Sequence, residues 1–354
     1  MTATIAGSAG QRSRRPVVRT GQRRRRLAGL LVLLLALVVA VALSLAFGAR
    51  AIPPGAVWDA LLNPAGAAQD PDTIVVRSLR VPRTVIGVLV GMALGVAGAL
   101  MQGHTRNPIA DPGLLGVNQG AAFAIVLAVV VFGVEGLESF IWFGFAGAML
   151  AAIVVFILGA VGGRGSTPVT LALAGAAVSA LLYGVISAIV LGNRQGMETY
   201  RFWHVGSIAG RDFAIAEQIA PFLLIGLLLA VMNAPGLNTL SLGEDVATSL
   251  GHDLRRTRVV GVLAITLLTG AAVAACGPIA FLGLIVPHVA RFVTGPDYRW
   301  LVPFAALLGA VLLLVADVLG RIVSGDSFEV GIMLAVIGAP VFIVLVRRRG
   351  LARL

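Results

Sequence analysis

The 354-residue sequence contains no lysine, so all of its basic side chains other than histidine are arginines. A phosphate-binding loop of the form G-x-x-x-x-G-K-[ST] is therefore absent, and this chain does not hydrolyse ATP by that route. Cys276 is the single cysteine, which excludes an intrachain disulfide and a cysteine-based zinc cluster. The four histidines, His104, His204, His252 and His288, show no H-E-x-x-H spacing, and no serine-centred nucleophile motif stands out. No catalytic residue, metal site or cofactor is expected. Charged residues make up only 12% of the chain, about half the share found in soluble domains. Acidic residues are missing from both tails.

What replaces them is apolar. Hydrophobic residues reach 58% and the mean hydropathy is +0.97, more than a soluble core can absorb. Runs of about 20 apolar residues recur along the chain, the length needed to cross a bilayer, so one all-α, polytopic membrane domain is expected. The net charge of +11 resides in the tails, in Arg12 to Arg26 before the first apolar run and Arg347 to Arg353 after the last. Because each cluster abuts a span, a nucleic-acid arm is not expected. The positive-inside bias puts both termini in the cytoplasm, which requires an even number of spans. The first run, Leu27 to Phe47, is longer than a cleaved signal core and reads as a retained helix.

Ten spans are predicted: Leu27 to Phe47, Val81 to Met101, Leu114 to Val134, Phe140 to Val161, Val169 to Leu191, Phe213 to Met232, Val259 to Cys276, Ile279 to Phe292, Leu301 to Ile322 and Val330 to Val346. Gly277-Pro278 divides the seventh from the short eighth. Fusing them would leave the two basic tails on opposite sides, so two helices are expected. The organisation is then a basic tail over residues 1–26, expected to be disordered, a single membrane domain over 27–348, and a second tail over 349–354. The segment Gly192 to Asp212 reads as interfacial or re-entrant. A repeat is visible at an offset of 170 residues: Pro108-Ile109-Ala110 and Gly113-Leu114 recur as Pro278-Ile279-Ala280 and Gly283-Leu284. That offset spans five helices, so the copies would be inverted across the membrane.

Gradient-driven carriers usually hold ionisable groups within their spans, and here only Glu217 and Asp317 qualify, each near a helix end. That weakens a secondary carrier against a permease powered by a partner. A membrane scaffold without transport is the third class. Asp317 and Arg321 lie four apart on one helix face and can pair. Arg77, Arg80 and Arg83 follow at intervals of three around Pro82. Arginines gathered on the outer side suit an acidic partner, or else snorkel to lipid phosphates. On the cytoplasmic side, Val246, Ala247, Leu250 and Leu254 form an apolar stripe, with Glu244 and Asp245 before it and Arg255, Arg256 and Arg258 after it. This pattern fits a short amphipathic helix that docks in a groove or lies on the bilayer surface.

Several motifs, in register, resemble one family. They are Leu79-Arg80-Val81-Pro82-Arg83, then Gly98-Ala99-Leu100-Met101-Gln102, and Arg106-Asn107-Pro108-Ile109-Ala110-Asp111-Pro112-Gly113-Leu114-Leu115-Gly116. Leu240 to Gly251, Gly277 to His288 with Arg291, Ala316-Asp317 with Arg321, and Gly338 to Phe342 complete the set. Together they resemble the FecCD family of ABC importer permeases. The resemblance implies a ten-helix subunit that pairs with a second permease copy or paralogue in the bacterial plasma membrane. A pair of cytoplasmic ATP-binding subunits and an extracytoplasmic solute-binding protein would be its further partners. It implies an iron-siderophore cargo, or alternatively cobalamin or haem. By position, Arg80, Arg83 and Arg321 match arginines that meet the binding protein. Gly243, Glu244, Ala247, Leu250 and Gly251, within the coupling segment 237–256, match the helix that contacts the ATPase. Ser166 and Thr167 resemble a cytoplasmic gate. Where the family often reads E-[IL]-P-[VI]-G, this chain has Ser327-Phe328-Glu329-Val330-Gly331, which alters the outer end beside Arg321.

Overall fold

The computed structural model describes residues 19–48, 50, 52–62, 70–160, 168–324 and 328–347, and these are mostly helical with no strand among them. Seven helices are long and apolar enough to span a bilayer, and three shorter apolar ones bring the total to the expected ten. In chain order the helices are α1 (Arg19–Ala46), α2 (Pro54–Leu62), α3 (Pro71–Val75), α4 (Val81–Thr105), α5 (Val117–Phe132), α6 (Leu137–Ala160) and α7 (Pro168–Gly192). They continue with α8 (Arg194–His204), α9 (Phe213–Leu240), α10 (Glu244–Ser249), α11 (Leu254–Cys276), α12 (Leu282–Thr294), α13 (Tyr298–Ser324) and α14 (Val330–Arg347).

Helix α4 is the axis of the bundle. With α3 and a π-helical turn at Val76–Arg80 it forms one continuous span from Pro71 to Thr105, whose apolar window is 78% buried, against 11% for α1. Small residues permit this. A Cβ at Gly91 would stand 2.6 Å from the Gly309 carbonyl oxygen, one at Gly95 2.3 Å from that of Ala305, and one at Gly98 2.0 Å from that of Gly283. Backbone therefore meets backbone along α13 and α12, the close approach that glycine provides where burial from water supplies no driving force.

The short helices have a common cause. After α4 the chain turns back, Asp111 caps a 3-10 turn (Pro112–Leu115) by accepting the Gly113 N–H at 2.8 Å, and α5 starts inside the bundle. Likewise α11 stops at Gly277, and α12 starts only after Phe281, held at φ 65°. The two turns meet where Pro112 lies 3.0 Å from the position a Gly283 Cβ would take. Irregular backbone at this depth is tolerated because protein surrounds it. Packing follows the offset of 170 residues: α4 rests on α13 as α11 rests on α6, while α5 packs on α6 and α7 as α12 packs on α13 and α14.

Three expectations change at their boundaries. The first helix starts at Arg19, ahead of the predicted span, so Arg23 to Arg26 stand on helix. The segment before Arg80, expected on the outer side, contains helix as α2, α3 and the π turn, because Asp70 caps α3 through the Thr73 N–H and Pro71 suits its first turn. The amphipathic helix is shorter than its stripe. It ends at Ser249, Gly251 breaks the chain at φ 74°, and Arg255, Arg256 and Arg258 belong to the start of α11, under the cap of Asp253. Segment 192–212 splits into α8 and a buried stretch, in which the Ser207 N–H donates to the Cys276 carbonyl at 2.7 Å.

Both described chain ends approach the same end of the bundle. Arg25 and Arg26 of α1 donate to the carbonyls of Phe292 and Thr294, at 3.0 and 2.5 Å, where α12 gives way to α13. Helix α14 begins at the opposite end, with the Gly331 N–H donating to the Gly206 carbonyl, and runs back past Phe281 to Arg347.

Candidate functional site: a basic pocket and a hinged helix at opposite ends

The three arginines singled out in the sequence converge. Arg80 and Arg83 come from the π turn and α4, Arg321 from the last turn of α13, and all are buried. Asp317, itself fully buried, bridges two of them: Arg83 Nη2 at 2.7 Å and Arg321 Nη2 at 2.8 Å. Further donors cap α1, whose final carbonyls lack helical partners. Arg321 Nη1 donates to Ser44 and Phe47, at 3.0 and 2.6 Å, and Arg80 Nη1 donates to Leu45 and Ala46, both at 2.7 Å. Arg80 Nη2 also donates to the Arg50 carbonyl. Cations at a helix C-terminus suit its dipole.

These side chains line a cavity of about 310 Å³ with Arg50, Leu79 and Gly210. Arg50 forms its rim, 58% exposed and paired with Asp72 at 2.7 Å. Four guanidiniums thus face two carboxylates, Asp72 and Asp317, leaving an excess of positive charge around a pocket that opens at the bundle's end. Arg321, with 1% of its side chain exposed, is the floor and not the rim. Arg50, Asp72 and Ser44 escaped the sequence reading. For Arg50 the only signal was position, just beyond an apolar run whose last carbonyls need donors. On the same end, burial lowers the pKa of His204, which stacks on Tyr200 with ring centroids 5.0 Å apart.

At the other end, α10 stands between two glycines with positive φ, Gly243 at 104° and Gly251 at 74°. Ala247 alone of its residues is buried. Leu242, Val246 and Leu250 are exposed, at 60%, 47% and 66%, an apolar face that the described residues leave uncovered. Glu244 Oε1 accepts from Arg106 Nη2 and Arg258 Nη2, both at 2.7 Å. Arg106 and Arg258 were not singled out as site residues. Ser166 and Thr167 fall outside the described residues. No group of three or more histidine, cysteine, aspartate or glutamate residues suited to a metal occurs among the described residues.

A polytopic bundle with charged machinery at one end, a detachable-looking apolar helix at the other and one buried shaft between them is the architecture of a membrane transport permease. Residues 35–348 match the model of the FecCD transport family. Over 317 residues the chain is 46% identical to the ferric enterobactin transport system permease protein FepD of Escherichia coli (strain K12), covering 90% of this chain and 94% of that one. It is 37% identical to the cobalamin import system permease protein BtuC of Halobacterium salinarum, covering 88% and 86%. Among solved structures, a chain from an inward-facing metal-chelate type ABC transporter superposes with a TM-score of 0.79 at 27% identity, covering 91% of this chain and 99% of that one. The chain belongs to the FecCD transport family, and it is a multi-pass permease of the ABC-importer type.

Proposed function

We propose that this protein imports iron-siderophore complexes across the bacterial plasma membrane as the permease subunit of an ATP-driven system. The reading rests on the 46% identity to a ferric enterobactin permease along almost the whole chain. The cobalamin permease among the relatives keeps cobalamin as the second cargo to be tested.

In this reading the basic pocket faces outward and receives carboxylates of a solute-binding protein. Arg50 meets them first, Arg80 and Arg83 form the wall, and Arg321 holds the floor through Asp317. Complementary charge of this kind orients a partner and speeds its arrival. Helix α10 faces the cytoplasm, as do both termini, and its exposed Val246 and Leu250 seat in a groove of the ATP-binding subunit, as an amphipathic helix does. The large lipid-side exposure of α7, only 22% buried in its span, leaves room for a second permease copy or paralogue. ATP binding and hydrolysis in the partner would shift α10 and tilt the bundle between two arrangements.

Uptake of radiolabelled iron with a panel of siderophores, and of labelled cobalamin, in a strain lacking this gene and in the complemented strain tests the assignment. Loss of one ferric siderophore on deletion, regained on complementation, is the expected result. Loss of cobalamin uptake alone, or uptake abolished by an ionophore with ATP maintained, would overturn it.

A further inference from the structure

The short helix α10 is attached to the bundle by little. Two positive-φ glycines flank it, and in both places a Cβ would meet nothing within 4 Å. Glycine is thus present there for backbone freedom and not for want of space. Ala247 supplies the buried apolar contact. The side-chain tie is Glu244, whose single oxygen Oε1 holds Arg106 and Arg258 at once.

Those two arginines belong to different elements. Arg258 stands in the first turns of α11. Arg106 is the C-cap of α4 and one of two non-glycine residues with positive φ among the described residues, at 47°. An L-residue in the left-handed region is held there against its preference. At its other end the same helix starts with Arg83 in the basic pocket, and between the two it is packed backbone to backbone against α12 and α13.

We propose that Glu244 is a latch: its paired contacts with Arg106 and Arg258 hold α10 against the end of α4, so that α4 links the basic pocket directly to the coupling helix. The three side chains remain between 22% and 39% exposed. Exposed ion pairs are weak, and that suits a contact to be released and remade in each cycle. A fully buried pair, like that of Asp317, would be too costly to open. The functional meaning of the latch rests on the permease reading above, whereas the latch itself is a property of this chain alone.

The test separates the two. A spin label is placed on exposed α10 through Thr248→Cys, with buried Cys276 out of the reagent's reach. The purified permease is then examined in lipid nanodiscs. The wild-type background should give a restrained spectrum. Glu244→Gln and Glu244→Arg should raise the mobile fraction relative to the restrained one about fivefold, the size expected of one exposed ion-pair node. The swap Glu244→Arg with Arg106→Glu keeps the charge count of the node and restores an ion pair between positions 106 and 244, so the mobile fraction should fall back towards that of wild type. Identical spectra in wild type and Glu244→Gln would overturn the latch. Binding-protein-stimulated iron uptake by the same variants is the second readout. Uptake should fall in Glu244→Arg and recover in the swap. Uptake absent from the wild-type complex would count against the permease reading, with the spectra still deciding the latch.

Discussion

At the pocket end, Arg80, Arg83 and Arg321 are buried and donate within the chain, to Asp317 and to the last carbonyls of α1. At the α10 end, charged groups are partly exposed, apolar side chains point away from the bundle, and glycines flank the helix. The first region is preassembled: its charge pattern is built into the packed bundle. The second leaves apolar side chains uncovered. In the proposed reading, a transporter driven by a partner subunit uses this asymmetry, with one end a fixed template and the other a part that moves when pulled.

Mutations can break or sharpen that contrast. Asp317→Ala leaves two buried guanidiniums without their shared carboxylate. Truncating one partner of a buried ion pair costs about 3–5 kcal/mol, so the variant should fail to accumulate in the membrane or melt far below wild type in detergent. Gly95→Ala drives a methyl group towards the Ala305 carbonyl oxygen, 2.3 Å from the ideal Cβ position. An overpacked interface loses about 1–3 kcal/mol, which a thermal melt would register. Leu250→Glu acts at the other end. With 66% of Leu250 exposed, folded yield should match wild type while iron uptake falls about tenfold or more, as expected when an apolar anchor of an interface is lost. Equal uptake would place the coupling surface elsewhere. Arg50→Glu should have the smallest effect. A rim charge changes association rate and salt dependence more than final affinity, so binding-protein capture should slow a few-fold at low salt and converge with wild type at high salt.

Much of this was legible in the sequence, for identifiable reasons. Span positions follow from hydropathy, since a bilayer leaves the backbone few alternatives. The Gly277-Pro278 break was readable because glycine and proline both oppose helix continuation, and the structure ends α11 there. The convergence of Arg83, Asp317 and Arg321 was half visible, as an i, i+4 pair on α13 and a separate run of arginines. The contacts of Arg80 and Arg321 with α1 were hidden, because they join residues far apart in the chain through backbone carbonyls that carry no side-chain signal. The stripe Val246, Ala247, Leu250 and Leu254 misled for a physical reason. Ala247 faces the bundle, Val246 and Leu250 face away, and Leu254 already belongs to α11, so one apolar pattern covers two opposed surfaces. Gly251 held the clue that the helix stops, and its φ of 74° shows why glycine stands there.

The central claim is the sidedness of these two ends, and the chain is suited to testing it because its single cysteine, Cys276, is buried. Single cysteines at Leu79, exposed beside the pocket, and at Leu250, exposed beyond α10, are probed with a membrane-impermeant maleimide. In spheroplasts, Leu79→Cys should label at once and Leu250→Cys only after the membrane is permeabilised. Labelling of Leu250→Cys in sealed spheroplasts, with Leu79→Cys protected, would contradict the account.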